Sequence, residues 1–211
     1  MPGDTLGTVA LGLLTLYGLV TLGGRTALQR MRNDDSGWRG ISGQPGSTAW
    51  WGGVLLAVSV VGLGLAPALA PAESTIEQWR VLVGGIGFGL GFGFTLYAQL
   101  AMGRSWRIGV RAGEHTELRT DGPFAWCRNP VFTAMLASTG ALAFWVPWLL
   151  APWLLMFLSL QLQVRAVEEP HLLSTHGDTY REYARRTGRF LPGLGRGLAA
   201  ATQRAPQERA H

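Results

Sequence analysis

Four long stretches of this chain contain no charged residue, and they limit what the chain can fold into more than any other feature. They span residues 5–24, 40–72, 81–103 and 129–164 and are 20, 33, 23 and 36 residues long. One α-helix needs about 20 mostly apolar residues to cross the hydrocarbon core of a bilayer. A soluble domain of 211 residues has too small an interior to bury four such segments. We therefore predict an all-α, polytopic membrane protein.

The last of these stretches is too long for one membrane helix. It contains Pro147 and Pro152 among three tryptophans, at positions 145, 148 and 153. Proline interrupts a helix, and tryptophan is enriched where a helix meets the membrane surface. We therefore predict a tight C-terminal helical hairpin that turns near Pro147. This gives about five transmembrane helices, of which the fourth is the shortest.

All 18 basic residues of the chain are arginine. With five spans, 17 of them fall on one side of the membrane, and the exception is Arg80 between the second and third spans. Because basic residues concentrate on the cytoplasmic side, the N-terminus is predicted outside and the C-terminus in the cytoplasm. The same surplus accounts for the net charge of +5, so no nucleic-acid partner is predicted. The absence of lysine is typical of a GC-rich bacterial genome, and we predict an integral plasma-membrane protein.

The third predicted span is rich in glycine. Gly85, Gly89 and Gly93 recur every four residues and would share one helix face. Small residues at this spacing let a second membrane helix approach closely. We predict that this face packs against another helix. The alternative is that it makes room for a bound cofactor.

Two polar segments, both predicted to be cytoplasmic, flank the hairpin. The first ends in Arg128, Asn129 and Pro130. Asn is a good helix N-cap and Pro is favoured in the first turn, so a helix is predicted to begin there. Arg128 would lie at the positive end of that helix, a place suited to an anion, which indicates an anionic ligand shared with the helix. The structural alternative is an arginine that reaches a lipid phosphate.

The second segment begins with two adjacent carboxylates, Glu168 and Glu169. A helix that starts near Trp148 rises about 30 Å by Glu168, which predicts the pair at the cytoplasmic edge of the hydrocarbon. Ionisable groups at membrane depth are functional candidates, and carboxylates are unfavourable at a helix C-terminus. We predict a partner for the pair, namely Arg128, Arg165 or a cationic ligand. The alternative is a solvated helix end with no role.

Together these segments resemble a family of integral-membrane methyltransferases, the isoprenylcysteine carboxyl methyltransferase and phospholipid methyltransferase group. The resemblance covers about residues 100 to 192. Two positions depart from the family pattern: Asn129, where His is common, and Phe132, where Tyr is usual, so this chain has neither an imidazole nor a phenol there. The matching motifs are Gly122-Pro123-Phe124, Arg128-Asn129-Pro130-Val131-Phe132, Glu168-Glu169-Pro170-His171-Leu172, Gly177-Asp178-Thr179-Tyr180-Arg181-Glu182-Tyr183 and Arg189-Phe190-Leu191-Pro192.

The resemblance implies an S-adenosylmethionine-dependent enzyme with its cofactor enclosed at the cytoplasmic face. Its acceptor, a lipid or small hydrophobic molecule, would arrive from the bilayer. Arg128 and Glu169 are implied as catalytic residues. The implied cofactor-binding residues are Gly122, Pro123, Phe124, Arg128, Asn129, Pro130, Phe132, Glu168, Glu169, His171, Leu172, Tyr180 and Tyr183.

The chemistry of these side chains suits that cofactor. Arg128 would bind the cofactor carboxylate through both terminal nitrogens. Glu168 or Glu169 would accept hydrogen bonds from its ammonium group or its ribose hydroxyls. Aromatic rings of the set would stack on adenine or face the sulfonium.

We predict three regions along the chain: N-terminal membrane helices over residues 1–99, a methyltransferase-like region with the hairpin over 100–192, and a disordered tail over 193–211. The tail is rich in glycine and alanine. No metal is predicted, because His171 and His176 lack the i, i+4 spacing of a helical zinc pair and Cys127 is the single cysteine. Direct methyl transfer also needs no nucleophilic thiol.

Two other classes of function compete with this interpretation. A membrane sterol-type reductase has a related C-terminal architecture, but it uses NADPH and needs sites for additional phosphates. The second class is a non-catalytic scaffold or a small transporter. A transporter should show polar residues in mid-membrane or an inverted repeat, and the five apolar spans are predicted to have neither. The residues leave the acceptor atom open between oxygen, nitrogen and sulfur.

Overall fold

The computed structural model describes residues 3–33, 36, 40–71, 76–103 and 117–198. These residues are mostly helical, and the β-type pairing among them is one isolated parallel bridge between Cys127 and Gly188. The predicted all-α class is confirmed.

The described residues form eight α-helices. A π-helical segment, Leu19–Gly24, joins the first two helices without a break, and a second, Val164–Glu168, joins the last two. The helices are α1 Gly3–Gly18, α2 Arg25–Asn33, α3 Thr48–Leu69, α4 Gln78–Met102, α5 Pro123–Trp126, α6 Pro130–Ala141, α7 Leu150–Gln163 and α8 Glu169–Arg186.

Four helical segments of the described chain are long and apolar enough to cross a membrane, and a shorter apolar helix, Pro130–Phe144, is fourth in chain order. The short fourth helix agrees with the prediction from the sequence. A cluster of buried apolar side chains from all five runs through the bundle and includes Leu6, Leu63, Phe88, Leu136 and Met156. The segments are Thr5–Arg32, Thr48–Leu69, Gln78–Met102, Pro130–Phe144 and Pro147–Arg186.

The predicted hairpin is present between α6 and α7. Short 3-10 segments, Leu142–Phe144 and Pro147–Leu149, flank its turn. Near the turn, Trp153 Nε1 donates to the carbonyl of Leu136 at 2.8 Å and ties the two arms together. Farther from the turn the arms diverge, because α6 packs mainly on α4 while α7 packs mainly on α3.

The close approach of α4 and α6 depends on glycine. An added Cβ at Gly91 would lie 2.7 Å from the backbone nitrogen of Ser138, and one at Gly87 would lie 2.9 Å from Cβ of Ala141. Gly84 faces the ring of Trp145 in the same way. The packing face therefore has i, i+3, i+7 spacing.

The predicted glycine face, which joined Gly85 to Gly89 and Gly93, is wrong. Gly89 and Gly93 have no heavy atom within 4 Å of an added Cβ. Six glycines lie among residues 84–93, so more than one face of α4 is lined with small residues. Spacing alone could not decide which of these faces meets a neighbour.

The two carboxylates of the second polar segment lie inside a long helix and not at its end. Glu168 closes the π-helical segment and Glu169 opens α8, which continues to Arg186. The prediction confused the end of the apolar stretch with the end of the helix. The helix bends at Gly177, whose φ of 52° and ψ of −125° are accessible to glycine and strained for other residues.

Candidate active site

Glu169 is the central residue of the site and is only 1% exposed. Arg128 Nη2 donates to its Oε1 at 2.6 Å. Arg189 Nε donates to the same oxygen at 2.8 Å, and Arg189 Nη2 donates to Oε2 at 3.1 Å. Buried charges are tolerated only when they are paired and hydrogen-bonded, and here one carboxylate holds two guanidinium groups.

The terminal nitrogens of Arg128 are all engaged by the protein. Besides Glu169 they donate to four backbone carbonyls, those of Ala184 and Thr187 at 2.9 Å, Gly197 at 3.1 Å and Gly195 at 3.4 Å. The anion predicted beside Arg128 is therefore Glu169 of the same chain. The predicted two-nitrogen contact with a cofactor carboxylate is wrong, because neither terminal nitrogen is left for it.

Backbone pairing brings the Arg128 and Arg189 motifs together. The amide of Arg128 donates to the carbonyl of Gly188 at 2.8 Å, next to the bridge that includes Cys127. Asn129 donates to the carbonyl of Arg189 through its amide at 3.1 Å and through Nδ2 at 2.9 Å. Asn129 does precede α6 as predicted, but its side chain hydrogen-bonds to the Arg189 motif and does not cap the helix.

One cavity lies where the hairpin arms diverge, between the start of α6 and the start of α8. It has a volume of about 130 Å³ and is partly open to the outside, and its lining combines apolar side chains with a few polar groups, as in pockets that bind small molecules. Ten of the thirteen implied cofactor-binding residues line it: Phe124, Arg128, Asn129, Pro130, Phe132, Glu168, Glu169, Leu172, Tyr180 and Tyr183.

Three implied residues, Gly122, Pro123 and His171, are not among the residues that line the cavity. Gly122 has a φ of 54° and precedes α5, where Pro123 takes a first-turn position. This turn presents Phe124 to the cavity, so the two residues act on the site through the backbone. Five lining residues were not predicted: Met102, Glu117, Leu118, Arg119 and Val131.

Two tyrosines of α8 close one wall of the cavity. Tyr180 is 1% exposed, and Tyr183 Oη donates to the carbonyl of Phe124 at 2.6 Å. The bend at Gly177 precedes both residues. This bend turns the second half of α8 toward α5, so the predicted tyrosine motif does meet the Phe124 motif.

Cys127 is buried beside the site, and burial raises the pKa of its thiol. A raised pKa keeps the thiol protonated and poorly nucleophilic at neutral pH. Within the described ranges, no group of three or more His, Cys, Asp or Glu side chains could hold a metal ion. The protonated thiol agrees with chemistry that uses no thiolate.

A buried row of polar residues in the first span was missed. It consists of Tyr17, Thr21, Arg25 and Gln29, one turn apart, and it faces α4. Tyr17 Oη lies 3.1 Å from Thr95 Oγ1, Gln99 Nε2 donates to the carbonyl of Thr21 at 3.0 Å, and Arg25 Nη2 donates to the carbonyl of Gly103 at 2.9 Å.

The prediction of uniformly apolar spans overlooked this row, which contacts the last turns of α4. The signal was present in the sequence as the four-residue spacing from Tyr17 to Gln29. The row reaches the site, because Gly103 follows Met102 and Met102 lines the cavity. The first span thus supports the end of α4 that forms one edge of the cavity.

This architecture is that of a helical membrane protein with a cavity at one end of the bundle, and comparisons with known proteins agree with it. Residues 79–179 match the family model described as phospholipid methyltransferase. The matched region contains the first three motifs given above, the first three residues of the fourth, and all thirteen implied cofactor-binding residues except Tyr180 and Tyr183. The predicted resemblance to the integral-membrane methyltransferases is confirmed.

Individual proteins are also similar to this chain. The fold is similar to that of the eukaryotic intramembrane Ras methyltransferase ICMT (isoprenylcysteine carboxyl methyltransferase), with a TM-score of 0.55 and 20% identity over 90% of this chain and 75% of that one. The nickel-cobalt-cadmium resistance protein NccN of Alcaligenes xylosoxydans xylosoxydans is 33% identical over 95 residues, 44% of this chain. The match spans 45% of the length of NccN.

Proposed function

We propose that this protein transfers a methyl group from S-adenosylmethionine to a lipid or small hydrophobic acceptor at the cytoplasmic face of the membrane. The observation that carries the proposal is the cavity, which motifs from α5, α6 and α8 line together. These motifs are distant in sequence: Phe124 and Tyr183, which are joined by a hydrogen bond, are 59 residues apart. When bound, S-adenosylmethionine supplies an electrophilic methyl group. The protein has to align the acceptor with it and exclude water.

The residues around the cavity fit such a cofactor. Arg128 Nε is buried and has no hydrogen-bond partner among the described residues, as expected of a donor kept for an anionic group. Arg119, in an ion pair of 3.1 Å with Glu117 at the cavity, is a second cation for the cofactor carboxylate. Glu168 would accept from the ammonium group or the ribose hydroxyls, and Phe132 and Tyr180 would meet the adenine or the sulfonium.

Arg128 and Glu169, the residues implied as catalytic, take a revised role in this proposal. Each is held on several sides by protein groups, and their ion pair at 2.6 Å fixes the wall on which the cofactor would lie. We assign them as positioning residues. Glu168, next to them and only partly buried, is the carboxylate assigned to direct cofactor contact.

The acceptor is proposed to arrive from the bilayer through the opening between the hairpin arms. The arms contact each other little away from the turn, and Val131, Phe132 and Leu172 give the cavity an apolar wall there. Ala134 and Ser138 of α6 do not suit a test of this access, because both are buried, Ser138 against Gly91.

A better test of acceptor access compares Val131→Trp with Ala137→Trp. Val131 lines the cavity, whereas Ala137 is exposed on the outer surface of the same helix. Val131→Trp should reduce turnover of long-chain acceptors at least about 10-fold and leave S-adenosylhomocysteine binding within about 2-fold, since a pocket change of this kind costs about 1–3 kcal/mol. Equal activity in the two variants would reject access beside α6.

The cofactor itself is tested by calorimetry on detergent-purified protein. S-adenosylhomocysteine, the product of methyl transfer, should bind saturably, and NADPH should not. The opposite result would reject the methyltransferase and favour the sterol-type reductase. Binding of neither compound would favour the scaffold or transporter class.

A further inference from the structure

Residues 195–198 contact the core of the site and are called here the Gly-rich cap. The prediction of a disordered tail from residue 193 is wrong for residues 193–198, while residues 199–211 lie outside the described part of the chain. Gly197 N donates to the carbonyl of Ala184 at 2.8 Å. Leu198 packs against the buried cluster of Leu173, Tyr180 and Tyr183. The cap is thus fixed to α8 at its far end.

The cap also completes the surroundings of Arg128. The carbonyl of Gly197 accepts from Arg128 Nη2 at 3.1 Å, and the carbonyl of Gly195 accepts from the same nitrogen at 3.4 Å. The remaining partner of that nitrogen is Glu169 Oε1 at 2.6 Å. Buried N–H groups of a guanidinium are usually paired. Nε of Arg128 has no partner among the described residues, whereas Nη2 has Glu169 and, apart from it, only the two carbonyls of the cap.

We infer that the Gly-rich cap is a positioning element of the cofactor site, which holds the Arg128 guanidinium in the plane that pairs it with Glu169. The inference deepens the proposed function and rests on it for the identity of the ligand. The turn of the chain is specific to glycine, because Gly197 has a φ of 79°, in the left-handed region that other residues rarely adopt. That turn directs the Gly197 carbonyl at Arg128 instead of at solvent.

A matched pair of variants tests the inference in the full chain. Gly197→Ala and Gly193→Ala both place a Cβ on a left-handed residue, with φ of 79° and 76°. Neither causes a collision, since the new Cβ at Gly197 has no neighbour within 4 Å and the one at Gly193 approaches only Arg196 Nη2, at 3.6 Å. The backbone strain is equal, but only Gly197 carries a carbonyl that Arg128 uses.

Gly197→Ala should weaken the binding of S-adenosylhomocysteine about 10-fold, the lower end of what loss of one hydrogen bond to a charged group produces. Gly193→Ala should bind within about 2-fold of the parent. A merely structural cap would lower Tm equally in both variants and leave both affinities equal. Equal affinities would therefore overturn the inference.

A second readout needs no cofactor. Cys127 precedes Arg128 and is buried against Gly188, so loosening of Arg128 should expose it. Alkylation of Cys127 by N-ethylmaleimide should be faster in Gly197→Ala, and in Leu198→Ala, which removes the anchor of the cap, than in Gly193→Ala. If the parent fails to bind S-adenosylhomocysteine, the proposed function fails, and these rates alone decide the inference: equal rates in all three variants overturn it.

Discussion

Glu168 and Glu169 are neighbours in sequence with different surroundings. Glu169 is 1% exposed and holds both Arg128 and Arg189, whereas Glu168 is partly buried at the cavity. A buried carboxylate between two guanidinium groups stabilises the fold, because its removal leaves two buried positive charges facing each other. A carboxylate that lines the cavity can contact a ligand there. Glu169 is therefore assigned mainly to stability and its neighbour Glu168 mainly to ligand binding.

Glu169→Gln should destabilise the protein by about 3–5 kcal/mol, the usual result of removing one partner from a buried ion pair. Glu168→Gln should lower Tm much less and weaken S-adenosylhomocysteine binding about 10-fold or more. Thermal unfolding in detergent and calorimetry on both variants measure the two effects. A Glu168→Gln variant that loses as much stability as Glu169→Gln, or a Glu169→Gln variant as stable as the parent, would contradict the assignment.

Cys127 should resist alkylation in the folded protein. Its raised pKa lowers the thiolate fraction at any given pH below the value for an exposed cysteine, and burial limits access as well. At pH 7 the native protein should therefore react with N-ethylmaleimide far more slowly than glutathione, and the rate should rise as the pH is raised toward the shifted pKa. Mass spectrometry before and after unfolding in detergent measures this. Complete labelling of the native protein within minutes at pH 7 would contradict it.

The sequence predicted most residues of the site and was wrong about several of their contacts. Arg128 at the start of α6 indicated a nearby anion. The sequence could not show whether that anion belongs to a ligand or to the chain itself, because either would pair with the guanidinium. Only the fold shows that Glu169 takes the place. Arg189 was seen in its motif without a role, since the backbone pairing that brings it to Glu169 joins segments about 60 residues apart.

Among the elements, the contact between α4 and α6 is the one most sensitive to substitution. Gly91→Ala would place a Cβ 2.7 Å from the backbone nitrogen of Ser138, whereas Gly89→Ala would place one in open space. The first should lower the free energy of unfolding by about 1–3 kcal/mol, as overpacking does. The second should be neutral or slightly stabilising, because alanine favours a helix more than glycine does. Tm in one detergent compares them, and equal Tm values would refute this packing face.

Elements were predictable where the bilayer sets their length. The five apolar helical segments and the turn near Pro147 follow from apolar runs and proline, which depend on local sequence. The extent of α8 was not predictable in this way, because its charged and polar residues lie beyond the apolar run and its bend depends on Gly177. The choice of packing face also depended on a partner helix that the sequence of α4 does not contain.

At the scale of the whole molecule, the pairing of helices explains why a cavity forms where it does. α6 packs along α4, whereas α7 packs along α3. The two arms of the hairpin therefore separate with distance from their turn. The polar row of the first span then fixes the end of α4 beside the open end of the hairpin through Arg25 and Gly103. Such long-range pairing cannot be derived from periodicity, which reports the faces of a helix but not their neighbours.

The last prediction concerns the orientation of the whole molecule. Seventeen of the 18 arginines are on one side if five spans cross the membrane, and the positive-inside rule then places the cavity in the cytoplasm. Single cysteines at Gln44, Glu77 and Arg196, all exposed, test this against a membrane-impermeant maleimide applied to intact cells. Glu77→Cys should be labelled, whereas Gln44→Cys and Arg196→Cys should be labelled only after the cells are permeabilised. The parent, whose single cysteine is buried, is the control. Labelling of Glu77→Cys and Arg196→Cys from the same side would contradict the five-span topology, because an odd number of spans separates them.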